Sequence, residues 1–335
     1  MLKKTIALIA LGAMSLMAAD KINGAGASFP APAYTGWAYY YQQETKNQVN
    51  YQSIGSGGGI KQVTARTVDF GASDEPLKDK GITDANVYQF PTLIGSIVLA
   101  HNIAGVKDSD LKLKNEVLAD IFAGKIKKWN DPKIANDNPS VKLPNADIVV
   151  VRRSDGSGTT FNFTSFLAGV SKEWKDSFGI GKAIEWPVGI AAKGNEGIAA
   201  LVKQTPNSIG YLENAYALSN NLPRTTLTTK SGKWVKPTDD NFKAAAAGAK
   251  WSKSENFYQM LVLQDGDSAY PIVAATFILL PTDKADVNAK VTKFFDWAFK
   301  NGDESITKLG YVPLPNETKQ LIREYWNDKK IAPAK

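Results

Sequence analysis

The run Arg152-Arg153-Ser154-Asp155-Gly156-Ser157-Gly158-Thr159-Thr160 brings a fixed cation, two glycines and several hydroxyls into nine residues. A guanidinium offers two parallel charge-assisted hydrogen bonds. Glycines let backbone N–H groups approach a ligand, and a helix N-terminus adds partial positive charge. The ligand that uses all of these together is a tetrahedral oxyanion. The flanking residues supply the elements such a seat needs. Ile148 to Val151 form a β-branched run that reads as a short buried strand, and Phe161, Phe163, Phe166 and Leu167 fall near helical spacing. The unit is therefore strand, turn, helix. An ordinary β–α turn with Ser157 as helix N-cap remains the structural alternative.

Three other stretches have a related form. Gly24-Ala25-Gly26-Ala27-Ser28-Phe29-Pro30 suggests a dinucleotide fingerprint, but Phe29 stands where the third glycine belongs, so the pattern fails. It reads better as strand, turn, helix, with Ser28 near an N-cap, Pro30 in the first turn and the helix running to about Glu44. Val49 to Ile54 alternates as a strand does and leads into Gly55-Ser56-Gly57-Gly58-Gly59, followed by a helix through Ile60, Val63 and Thr64. No Lys-Ser/Thr follows those glycines, which argues against a nucleotide P-loop; a flexible turn is the alternative. Val68 to Leu77 reads as a strand ending in an acidic turn at Asp74, whose bland reading is a capping aspartate.

The elements that must hold these turns are strands and helices in alternation. Gln89 to Ala100 predicts a long strand leaving a first lobe, and Tyr270 to Leu280 a return strand. Between them lies a second α/β segment with the strand Ser208 to Tyr211 and a helix after Lys193-Gly194-Asn195-Glu196-Gly197. Val291, Phe294, Phe295, Ala298 and Phe299 mark one face of an amphipathic helix, with Gly302 as its stop. The expected fold class is α/β in two lobes, residues 20–100 with 268–335 and residues 101–267.

Composition narrows the function classes. The 335 residues are 43% hydrophobic and 22% charged, as expected of a well-packed chain rather than a disordered one. Lys3 and Lys4, the apolar run Thr5 to Met17 and the small residues Ala18-Ala19 predict a signal peptide over residues 1–19, so the mature chain is expected in the periplasm. Without the two signal lysines the net charge falls from +7 to about +5, spread without a basic block, which argues against nucleic acid. With no cysteine there is no disulfide and no residue for a lipid anchor, and a single histidine argues against zinc or copper. His101 itself reads as a histidine at a strand end.

Taken together, Gly-Ala-Gly-Ala-Ser-Phe-Pro at 24–30, Ile-Gly-Ser-Gly-Gly-Gly at 54–59, Asp-Phe-Gly-Ala-Ser-Asp at 69–74 and Arg-Arg-Ser-Asp-Gly-Ser-Gly-Thr at 152–159 resemble the periplasmic phosphate-binding proteins of phosphate-specific ABC importers. Ala-Gly-Lys-Ile-Lys-Lys-Trp at 123–129 and Lys-Phe-Phe-Asp-Trp-Ala at 293–298 extend the likeness over nearly the whole mature chain. The resemblance implies a type II periplasmic binding protein fold with the ligand in the cleft between lobes, no cofactor, and a monomer that hands inorganic phosphate to permease subunits at the membrane. It implies phosphate contacts from Ser28, Phe29 and Ser56 in one lobe and from Arg153, Ser157, Gly158 and Thr159 in the other. Asp74 would accept the ligand's hydrogen, and Asp155 would orient Arg153. Ser28 stands where many members have Thr, Gly57 where a second Ser is common and Ser154 where Ala is common; the hydroxyl at Ser28 is kept.

Asp74 is the informative residue in that set. A carboxylate beside an anion is repulsive unless the ligand brings a hydrogen, which phosphate does near neutral pH and sulfate does not. Two rivals are a binding protein for another oxyanion, such as sulfate or molybdate, and an exported serine hydrolase or phosphatase using Ser56 or Ser157. Asp74 opposes the first. The second lacks a Gly-x-Ser-x-Gly elbow and has His101 alone for a base, so no enzyme is expected.

Overall fold

The computed structural model describes residues 19–333, so all but Ala19 of the expected signal peptide lies outside the described residues. The strands are β1 (Lys21–Gly26), β2 (Gln48–Ser53), β3 (Phe70–Ser73), β4 (Val87–His101), β5 (Val149–Arg153), β6 (Ile190–Ala192), β7 (Ser208–Glu213), a two-residue pair β8 (Leu227–Thr228) and β9 (Trp234–Val235), β10 (Val273–Pro281) and β11 (Val312–Pro313). One sheet runs in the order β2-β1-β3-β10-β4-β7-β5-β6, with β11 also on β4. β1 pairs in parallel with both β2 and β3 at one end, and β5 with both β6 and β7 at the other.

β4 joins the two ends. Val87 to Ser96 pair antiparallel with β10, and Ile97 to His101 pair antiparallel with β7. Its near-continuous burial explains why its sequence shows no alternation. Pro91 sits inside this strand without an N–H to donate. The ladder absorbs it by a register shift: Thr276 faces Leu93 while Phe277 faces Pro91, leaving Thr92 as the extra residue of a bulge. The Thr92 hydroxyl meets the Tyr34 hydroxyl at 2.5 Å, so the bulge is tied into the first helix of the chain.

Each parallel strand feeds a helix. Ala31–Thr45 follows β1, Ser56–Thr64 follows β2, Gly158–Val170 follows β5 and Gly194–Gln204 follows β6. The carboxyl ends of both parallel sets therefore face one crevice, where open α/β sheets bind ligands. The core beneath is aromatic. Tyr34, Phe70 and Phe90 all pack edge-on against Phe295 of the helix Ala285–Asn301.

Some local expectations need correction. The first helix starts at Ala31 with Pro30 at the N-cap position and Pro32 in the first turn, so Ser28 does not cap it. The Ser28 hydroxyl is engaged elsewhere, as described below. The second helix already begins at Ser56, which puts Gly57 to Gly59 in its first turn rather than ahead of it. Gly302 follows Asn301 as expected, yet its φ of −95° is not left-handed. Glycine is needed there for space instead: a Cβ would lie 2.2 Å from Trp37 Nε1, which donates to the Gly302 carbonyl.

Candidate functional site

At the carboxyl end of β5, Arg153 is buried and forked onto Asp155. Its Nε donates to Asp155 Oδ1 at 2.8 Å and one Nη to Oδ2 at 2.5 Å. Burial alone would raise the Asp155 carboxyl, but the hydrogen bonds and charge of Arg153 and the N–H of Gly194 hold it below the usual carboxylate range. The other Nη of Arg153 reaches Thr159 Oγ1 at 3.4 Å. Ser157 is the N-cap of the helix Gly158–Val170, accepting from the Thr160 N–H at 3.0 Å. The capped turn is therefore present, and the residues expected to form an anion seat lie on the same element.

From the other end of the sheet, Ser56 Oγ accepts from the Gly158 N–H at 3.0 Å and from the Asp74 N–H at 3.3 Å. The Gly57 N–H donates to the Gly156 carbonyl at 2.8 Å, and Lys182 pairs with Glu75. The crevice walls are in direct contact. Gly158 lies so close to the opposite wall that a Cβ there would fall 2.6 Å from Ser56 Oγ and 2.8 Å from Asp74 N. Phe29 puts its ring in the core, and its carbonyl accepts from the Tyr311 hydroxyl at 2.6 Å. The Ser28 carbonyl accepts from the Tyr216 hydroxyl at 2.7 Å.

Asp74 is buried at the end of β3, and Thr276 donates its hydroxyl to Oδ1. Burial pushes the carboxyl up to about 7, against the Thr276 hydrogen bond, the Arg153 charge and the Ser56 hydrogen bond, which lower it. The site therefore joins a guanidinium, hydroxyls, two helix N-termini and the buried carboxyl of Asp74. Hydrogen bonds link Arg153 to Asp155 and Thr159, Ser56 to Gly158 and Asp74, and, through Asn195, Ser28 to Thr159; Phe29 and Ser157 are the chain neighbours of Ser28 and Gly158.

Sequence reasoning missed Asn195, which touches Ser28 and Thr159, and Thr276, which touches Asp74. The glycines around Asn195 at a helix start were the available signal. Thr276 carries none, because it sits within an apolar run.

A model of the PBP superfamily domain matches residues 14–301. The Haemophilus influenzae phosphate-binding protein PstS is 47% identical over 97% of this chain and 98% of its own. The chain belongs to the family of phosphate-binding proteins. Another member, from Pasteurella multocida, is 50% identical over 92% of this chain and 90% of its own. A solved structure of a high-affinity periplasmic phosphate-binding protein with phosphate bound has a TM-score of 0.73 at 22% identity, covering 91% of this chain and 93% of that one. A phosphate-binding protein from Stenotrophomonas maltophilia has a TM-score of 0.68 at 20% identity, covering 91% and 94%. At these identities the likeness concerns the fold, and the α/β architecture is the two-lobed one of this family.

Proposed function

We propose that this protein binds inorganic phosphate in the periplasm and delivers it to the membrane permease of an ABC importer. The observation that carries the reading is Asp74, a buried carboxylate set among anion donors and tied to Thr276. An anion is welcome beside it only if a hydrogen lies between them, which selects phosphate over sulfate. Ser28, Phe29, Ser56, Arg153, Ser157, Gly158 and Thr159 are the proposed donors, with Asp155 orienting Arg153. The high identity to proteins named for phosphate binding supports the same ligand.

The proposed lobes are residues 20–100 with 268–335 and residues 101–267, hinged where the chain leaves β4 at His101 and where it returns ahead of β10. Their halves of the cleft close on the ligand, and the closed monomer, free of a lipid anchor, is what the permease meets. A transport role without catalysis accounts for the site better than a serine hydrolase or phosphatase. Ser157 Oγ accepts from the Thr160 N–H, which leaves its O–H to donate to a ligand, and His101 is a buried strand residue whose imidazole burial pushes down to about 4. A thermal-shift panel of phosphate, sulfate, arsenate and molybdate on the mature chain tests the reading, since a ligand bound only by the native state raises its melting temperature. Phosphate should give a large rise and sulfate none; a sulfate response equal to that of phosphate would overturn the assignment.

A further inference from the structure

Asn195 is fully buried in the first turn of the helix Gly194–Gln204, and its amide can face only one way. Its Oδ1 accepts from the Glu213 backbone N–H at 2.9 Å. A backbone N–H can only donate, so the atom it meets must be the amide oxygen, and Nδ2 must point the other way. There Nδ2 donates to Ser28 Oγ at 2.8 Å and to Thr159 Oγ1 at 3.2 Å. Ser28 Oγ also accepts from the Asn195 backbone N–H at 3.0 Å, and Thr159 Oγ1 from Arg153 at 3.4 Å.

A hydroxyl oxygen has two lone pairs and one hydrogen. At both Ser28 and Thr159 the lone pairs are now taken by N–H donors. Among the described residues neither hydroxyl gives its hydrogen to a protein acceptor. Each O–H is left to donate into the cleft. We infer that Asn195 is a positioning residue that forces the Ser28 and Thr159 hydroxyls, one from each end of the sheet, to act as donors to the ligand. The inference rests on the reading of the cleft as a phosphate site and deepens it. Ligand oxygens that meet these two O–H groups act as acceptors, a role bare oxygens fill best, which leaves the ligand's hydrogen to an oxygen that faces an acceptor such as Asp74. Asn195 thereby biases which oxygen of the bound anion carries the proton.

The test is calorimetric titration of phosphate into the mature wild type, Asn195→Ala, Asn195→Asp and the Ser28→Ala/Thr159→Val double variant, with and without Asn195→Ala. Asn195→Ala keeps the backbone donor and should weaken phosphate binding by about tenfold, the scale of one hydrogen bond set. Asn195→Asp turns the side chain into an acceptor that competes for both hydroxyl hydrogens, and should weaken it by more than about a hundredfold. In the double-variant background Asn195→Ala should change affinity by less than about threefold, because the hydroxyls it orients are gone. An equal loss in both backgrounds, or wild-type affinity in Asn195→Ala, would overturn the inference; if Asn195→Asp does not fold, the Asn195→Ala cycle decides alone. Failure of the wild type to bind phosphate would instead overturn the reading of the site.

Discussion

At Asp74, burial raises the carboxyl to about 7, so near neutral pH it titrates where its task requires a choice. Ionised, it accepts a hydrogen from a protonated ligand oxygen; protonated, it donates one to a bare oxygen. Above about 7 the carboxylate faces sulfate with like charge and no hydrogen, while below that value the carboxyl brings the hydrogen itself. Sulfate rejection should therefore weaken on acidification, by on the order of tenfold in competition against phosphate between about pH 8 and pH 5.5. In Asp74→Asn the difference should vanish. Competition calorimetry across that range checks it, and pH-independent rejection by the wild type would count against Asp74 as the discriminator.

The elements supply closeness rather than chemistry. The helices Ser56–Thr64 and Gly158–Val170 meet end to end, with Gly158 filling the gap where a Cβ would strike Ser56 Oγ, Asp74 Cβ and Asp74 N. Asp74 N is backbone, Asp74 Cβ is fixed to that backbone, and Ser56 Oγ is held by the Gly158 and Asp74 N–H groups. Alanine is a better helix former than glycine, so Gly158→Ala costs its own helix nothing and acts on the approach of the two helices. Overpacking of this kind costs about 1–3 kcal/mol. Phosphate affinity should fall by roughly ten- to a hundredfold, with the melting temperature of the ligand-free protein unchanged or raised. Calorimetry beside differential scanning measures both quantities; a large drop in ligand-free stability would mean that the glycine serves folding instead. These helix starts were legible in the sequence because a glycine, a hydroxyl and a preceding β-branched strand are adjacent residues. The mistaken cap at Ser28 shows the limit. A capping hydroxyl and a tertiary acceptor look alike until the competing donor, Asn195, is in place.

In the molecule as a whole, β4 is the strand common to both ends of the sheet, pairing with β10 and then with β7, and contacts such as Lys182–Glu75, Gly57–Gly156 and Asn195–Ser28 draw the remainder together. Closure on ligand predicts a smaller radius of gyration with phosphate than without it in small-angle scattering of the mature chain. Superimposable profiles would remove the hinge. The α/β alternation, the long strand β4, the four turns with their small and hydroxyl residues, and Asp74 among them were legible in the chain alone, because each is written in residues a few positions apart. Tertiary structure alone decided how those turns are wired. Asn195 meets Ser28 across 167 residues, Thr276 meets Asp74 across 202 and Tyr311 meets Phe29 across 282. Such partners leave no local pattern. An amide, a hydroxyl or a phenol within an ordinary helix or strand becomes part of a site only when the sheet brings its partner alongside, and burial then fixes which atom must donate.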